Sequence, residues 1–183
     1  MMSAWLIVLL ILFLCLSPFA LAQNNNSELT DEEIELFYGL FKEVDSFGLI
    51  SLSLVGDAES IGLNEQVLTR YLDERFRTCF CDTRYEDLTQ NPAKLAAAIA
   101  KRDNSIGIIT FRVWVIGDNY PLAYHVRCDA GTFENPSIWT EEVLGHGSKR
   151  TAPGAIKEIL NELMQELADN FLKARGNECI RKF

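Results

Sequence analysis

Ile106-Gly-Ile-Ile-Thr-Phe-Arg-Val-Trp-Val-Ile116, Gly117-Asp118-Asn119, and Tyr120-Pro-Leu-Ala-Tyr-His-Val-Arg-Cys128 together decide how this chain folds. The two long segments alternate apolar and polar residues with period two, the pattern of half-buried strands, and turn-forming residues separate them. With Asp118-Asn119 as the turn proper, Val115 faces Leu122, Val113 faces Tyr124, Phe111 faces Val126 and Ile109 faces Cys128. That side of the hairpin is wholly apolar. The other side pairs Trp114 with Ala123, Arg112 with His125 and Thr110 with Arg127. A one-residue slip mixes the two faces, so the hydrophobic pattern selects against it.

Outward from the hairpin, a further strand is expected at 137–144, past a loop holding Gly131 and Pro136. A long amphipathic helix follows at 153–174, with a stripe of Ile156, Ile159, Leu160, Leu163, Leu167, Phe171 and Leu172, Met164 and Ala168 at its edge, and Gly176 as its stop. Upstream, Thr30-Asp-Glu-Glu33 has the form of a capping box, and the apolar spacing after it predicts a helix over 31–45. Gly48 breaks it, and Leu49 to Val55 alternates as a strand over 48–55. Asn64 is placed to cap a helix over 65–77 with a stripe of Val67, Leu68, Tyr71, Leu72 and Phe76. Asn91-Pro92 opens a short helix over 92–100. The segment from Cys79 to Asp87 reads as either a short strand or a loop. The element order predicts an α+β two-layer domain with a mainly antiparallel sheet.

The ends of the chain speak to compartment. The first charged residue is Glu28, preceded by an apolar run from Trp5 to Leu16 and then Ala20-Leu-Ala22 before Gln23. This is the pattern of a secretory signal peptide over 1–22, although Met1 to Ala4 carry no Lys or Arg. An uncleaved anchor is the alternative, since the run approaches spanning length. Residues 23–29 read as a disordered polar linker, 30–176 as one domain and 177–183 as a tail. Removing 22 residues from 183 leaves 161, enough for a substantial core. The net charge of −9 argues against nucleic acid and anionic membrane surfaces as partners. After cleavage four cysteines remain, Cys79, Cys81, Cys128 and Cys179. In an oxidising compartment they are disulfide candidates, the Cys79/Cys81 segment joining Cys128 or Cys179.

Catalytic and metal chemistry find little footing, and no cofactor is expected. Cys79, Cys81, His125 and Cys128 could be counted as a metal set, but in a strand His125 and Cys128 lie on opposite faces. His125 and His146 are the only histidines, and no Gly-x-Ser-x-Gly elbow accompanies them. The carboxylate pairs Asp73-Glu74 and Glu141-Glu142 point apart on helix or strand. Gly145-His-Gly-Ser-Lys-Arg-Thr151 resembles an anion cradle before the last helix but lacks the order of a P-loop. That leaves the polar hairpin face of Arg112, Trp114, His125 and Arg127. It reads either as a recognition patch, since aromatic and Arg side chains dominate interface energies, or as a surface buried beneath a helix.

The stretch Gly62-Leu-Asn-Glu-Gln-Val-Leu-Thr-Arg-Tyr-Leu72, the Trp114/Tyr124 hairpin and the closing Leu-Ala-Asp-Asn-Phe-Leu-Lys173 resemble small bacterial periplasmic α/β modules. Examples are the N-terminal domain of TolB-like proteins and the accessory lipoproteins of envelope complexes; the lipobox of the latter is missing, since Leu14 precedes Cys15. The resemblance implies a non-enzymatic role in the envelope or secreted space and transfers no functional residue. The resulting expectation is an exported interaction module for a protein or envelope component. A carrier for a small apolar or anionic ligand is the alternative, and a secreted hydrolase the third reading.

Overall fold

The computed structural model describes residues 39–81 and 83–176. The expected signal peptide, linker and C-terminal tail, the capping box at Thr30, and the expected helix as far as residue 38 lie outside these residues. What is described of that helix is a 3-10 turn, Gly39–Glu43, and the chain is extended again by Ser46.

Five strands form one sheet: β1 (Ser46–Gly56), β2 (Arg84–Tyr85), β3 (Ile106–Ile116), β4 (Leu122–Thr132) and β5 (Trp139–Gly147). Their spatial order is β2-β1-β3-β4-β5. Three α-helices accompany them: α1 (Glu65–Cys79), α2 (Pro92–Lys101) and α3 (Ala152–Ala174). The α+β class agrees with the sequence. The sheet, however, is mixed. β1 runs parallel to both β2 and β3, and only β3-β4 and β4-β5 are antiparallel. The physical reason is the helical crossovers. α1 lies between β1 and β2, and α2 between β2 and β3, and each returns the chain to the same end of the sheet before the next strand starts.

Caps act where the local sequence places them. The Asn64 side chain accepts from the Val67 amide at 3.0 Å, and the Asn91 side chain accepts from the Lys94 amide at 3.1 Å. β1 passes straight through Gly48 instead of starting after it. A Cβ there would come within 2.7 Å of Leu88 and 2.6 Å of Ile106, so the absent side chain lets the β2-to-β3 connection cross closely.

α1 packs on β1 and α3, and α3 packs on β4 and β5, so the two long helices share one face of the sheet. Between them and the sheet lie Ile50, Leu52, Ile109, Phe111, Val113, Val115, Val126 and Cys128, with Leu72, Phe76, Leu160 and Leu167 above. Phe47 is the centre of an aromatic group, its ring 5.1–5.2 Å from those of Phe76, Phe80 and Phe171. Such edge contacts add about 0.5–1.5 kcal/mol each beyond area burial. Arg175 donates to the Val44 carbonyl, tying the end of α3 to the approach to β1. Met164 and Ala168 are fully buried instead of marginal, whereas Val67 faces solvent.

The hairpin keeps the expected faces but not the expected partners. Val115 pairs with Tyr124, Val113 with Val126 and Phe111 with Cys128; on the other side Trp114 pairs with His125 and Arg112 with Arg127. Every partner is two residues further along. Residues 117–121 form a five-residue loop, and a slip of two leaves each side chain on its own face. Asp57 anchors this loop to the end of β1: its amide donates to the Val115 carbonyl at 2.9 Å and its carboxylate accepts from the Gly117 amide at 2.8 Å.

Candidate functional site

Among the described residues, neither long helix covers the second face of the sheet; Arg112 is exposed there, and Trp114, His125 and Arg127 are half-buried. The register sorts this face into transverse rows. Val55, Trp114, His125 and Leu144 are direct neighbours across β1, β3, β4 and β5. The next row toward the β3-β4 loop is Ile116, Ala123 and His146. On the other side come Ser53, Arg112, Arg127 and Glu142, and then Ser51, Thr110, Asp129 and Thr140. The face is therefore apolar and aromatic near the loop and charged, then hydroxylated, away from it.

All four sequence-derived residues, Arg112, Trp114, His125 and Arg127, come together here. Trp114 and His125 stack with centroids 5.1 Å apart. His125 Nε2 lies 3.1 Å from the Glu142 carboxylate. Arg127 donates twice to Asp129, at 2.9 and 2.8 Å, and reaches Glu142 at 4.0 Å. Thr140 donates to the same Asp129 carboxylate at 2.8 Å. Burial alone would raise the Asp129 pKa, but the hydrogen bonds from Arg127 and Thr140 outweigh it and hold the carboxyl below its usual value. Arg112 is exposed and makes no hydrogen bond or salt bridge among the described residues; it acts on Asp129 only through its field.

Sequence reasoning passed over the apolar members of the patch. Ile116 is 75% exposed and Leu144 81% exposed, and Val55 borders them. The available signal was parity, since Ile116 shares its side of β3 with Arg112 and Trp114. Glu142, which holds His125, lies 17 positions away and is brought there by strand pairing, whereas Asp129 sits two residues from Arg127 on the same strand, where parity alone puts them on one face.

The other sequence candidates disperse. Cys128 is buried in the core while its near neighbour His125 lies on the open face. Cys79 and Cys128 are buried thiols, neither in a disulfide, which overturns Cys128 as a bridging candidate. Their positions explain this: Cys128 sits mid-sheet under the helices, and the Cys79 thiol is engaged by Arg75 at 3.8 Å and Gln165 at 3.5 Å. Burial pushes the Cys128 thiol well above its ordinary pKa. Cys81 is half-buried, and Cys179 lies outside the described residues. The expected Gly145–Thr151 loop is not a loop at its start, because Gly145, His146 and Gly147 complete β5. Gly145 lies under the Tyr124 ring, where a Cβ would meet ring carbons at 2.3 Å. Ser148 and Thr151 bond to each other in a closed turn before α3.

No described helix is long and apolar enough to cross a membrane. No family model matches the chain, and no curated protein matches it. Similar solved structures include a PelC dodecamer from Paraburkholderia phytofirmans, 11% identical with a TM-score of 0.40 over 75% of this chain and 91% of that one. A single-substitution variant of that PelC dodecamer is 9% identical with a TM-score of 0.40, over 70% of this chain and 90% of the other. Likeness at this level carries no inference about function or assembly here.

Proposed function

We propose that this chain is an exported, non-enzymatic interaction module that binds a protein or envelope component through the open face of its sheet. The observation that carries the reading is the row Val55-Trp114-His125-Leu144. An aromatic stack and exposed aliphatic side chains form one uncovered surface among the described residues, bordered by Arg112 and Arg127. Large exposed apolar patches with polar rims mark interaction sites more often than decoration. Trp and Arg are also the side chains that contribute most to binding when a partner removes water from them.

The face favours a particular complement. Arg127 already has Asp129 and Glu142, whereas Arg112 has its field and no bonded partner among the described residues. A partner that lays an apolar anchor on Trp114 and Leu144 and directs a carboxylate at Arg112 satisfies both halves of the surface. Export is supported by the leader-like residues 1–22.

Site-directed photo-crosslinking in the native host tests this. A photoreactive residue at Ile116 on the sheet face is expected to give a defined covalent product that Arg112→Glu abolishes. The same residue at Val67, exposed on α1, is expected to give none. Equal products from both positions, or an Ile116 product indifferent to Arg112→Glu, would refute the assignment.

A further inference from the structure

His125 and His146 are the chain's only two histidines, and both lie on the open face of the sheet. His125 stands across from Leu144 and His146 across from Ala123, so the two occupy adjacent rows on β4 and β5. Histidine is the side chain whose charge ordinarily changes between pH 5 and pH 8. Asp129, despite its burial, is held low by Arg127 and Thr140, while burial and the neighbouring Asp129 push the Cys128 thiol well up. Both move away from that range. One described carboxyl is shifted upward: burial, with Glu141 and Asp169 adding to it, raises Glu166. That residue belongs to α3, on the other side of the sheet from the histidines.

The fixed charges of this face cancel. Its rows set Arg112 and Arg127 against Asp129 and Glu142, while β1 contributes Ser51, Ser53 and Val55, which carry none. The histidines therefore decide the sign of the face. At His125 the geometry favours the charged ring. The Glu142 carboxylate only accepts, so Nε2 at 3.1 Å carries the hydrogen and Nδ1 is the nitrogen left to take up a proton. The imidazolium so formed keeps Glu142 as a charge-assisted partner. It also lies against the Trp114 indole, 5.1 Å away and 16° from parallel, whose π-face attracts a cation. His146 stands beside Ala123, Ile116 and Leu144, which offer it no counter-charge.

We infer that the open face is a pH-sensitive docking surface, on which protonation of His125 and His146 strengthens the hold on an acidic partner. The inference rests on the docking role given above and specifies its regulation. With both rings neutral, the face has no net charge, and a partner's carboxylates approach a molecule of net charge −9. With both protonated, Arg112, His125 and His146 form a diagonal of cations across β3, β4 and β5. Two added ion pairs at exposed positions are worth about fivefold in affinity. The gain is present at low pH and is lost as the rings give up their protons.

Two measurements on the full exported chain test this. In the first, indole emission is followed from pH 8 to pH 5. An imidazolium stacked on Trp114 quenches it, so emission is expected to fall. His125→Gln or Trp114→Phe is expected to remove the fall, and Glu166→Gln to keep it. In the second, the chain carrying a photoreactive residue at Ile116 is titrated into exported extract of the host at pH 7.5 and pH 5.5. Half-saturation of the covalent product is expected at about fivefold lower concentration at pH 5.5. The His125→Gln, His146→Gln double variant, with melting at pH 7.5 unchanged, is expected to lose that difference, and His146→Lys to bind more tightly at pH 7.5. Equal half-saturation at the two pH values overturns the inference and leaves the docking role intact. So does a difference that survives the double variant or vanishes with Glu166→Gln, and so does emission indifferent to His125. No product at either pH overturns the docking role itself, and the inference with it.

Discussion

Trp114 and His125 face each other across β3 and β4 with their ring planes 16° from parallel, and Glu142 holds the far side of the imidazole at 3.1 Å. The stack is built on the surface of the sheet, with its opposite side supported by the core residues Val113, Val115, Tyr124 and Val126. The two sides of the same strands should therefore answer differently to truncation.

Trp114→Ala is expected to change unfolding free energy by no more than about 1 kcal/mol, in keeping with surface positions. Phe111→Ala, three positions away and fully buried, is expected to cost about 3–5 kcal/mol through the cavity it leaves. Partner capture should respond in the opposite order. Urea denaturation with crosslinking yield on the same variants checks both; a core-sized loss from Trp114→Ala would remove the face from consideration.

Asp129 gives the fold a specific acid dependence. Its folded pKa is held below the usual value, so its contribution is complete above the unfolded value of about 3.9 and is lost as pH falls through the folded value. Asp129→Asn is expected to lower the urea midpoint at pH 7 and to flatten the decline below about pH 4. Parallel slopes for variant and wild type between pH 5 and pH 2 would contradict this.

Tyr85, in β2, packs against Phe76 of α1 with ring centroids 5.3 Å apart. Burial, with Asp87 and Asp73 nearby, raises its phenol pKa to about 12. The folded value lies above the unfolded value of about 10, so this tyrosine favours folding below pH 10 and loses that contribution as pH rises toward 12. Ultraviolet titration of tyrosinate is expected to resolve a late-titrating group that Tyr85→Phe removes. Ionisation of every tyrosine near pH 10 in the folded chain would defeat the assignment.

With Cys79 and Cys128 outside any disulfide, the redox expectation narrows to Cys81 with Cys179. Closing a loop on the order of 100 residues is worth about 4–5 kcal/mol in the chain-entropy account. Non-reducing peptide mapping of exported protein is expected to recover that cross-linked pair, and Cys81→Ser to lower the melting temperature as reduction does. Four alkylatable thiols in the exported protein would rule the bridge out.

Processing is expected after Ala22, the end of the small-x-small triplet, leaving Gln23 as the first residue, open or cyclised. Intact mass of the exported protein checks it. A membrane-bound species still carrying Trp5 would favour the anchor.

The sequence alone determined what short-range physics controls. Asn64 and Asn91 start their helices because an amide two or three residues away needs an acceptor. The parity of Arg112, Trp114, His125 and Arg127 follows from the period of two, which no tertiary contact alters. Relations between distant segments were decided only by the tertiary structure. Hairpin partners differ by two because such a slip preserves both faces, leaving the five-residue loop at 117–121 to choose the register. The mixed sheet depends on β1 lying between β2 and β3, an arrangement made by helices that cross the sheet and leave no mark in strand composition. Whether Trp114 is core or surface was open for the same reason: alternation shows that a strand has two faces, but the packing of α1 and α3 selects which of them meets water.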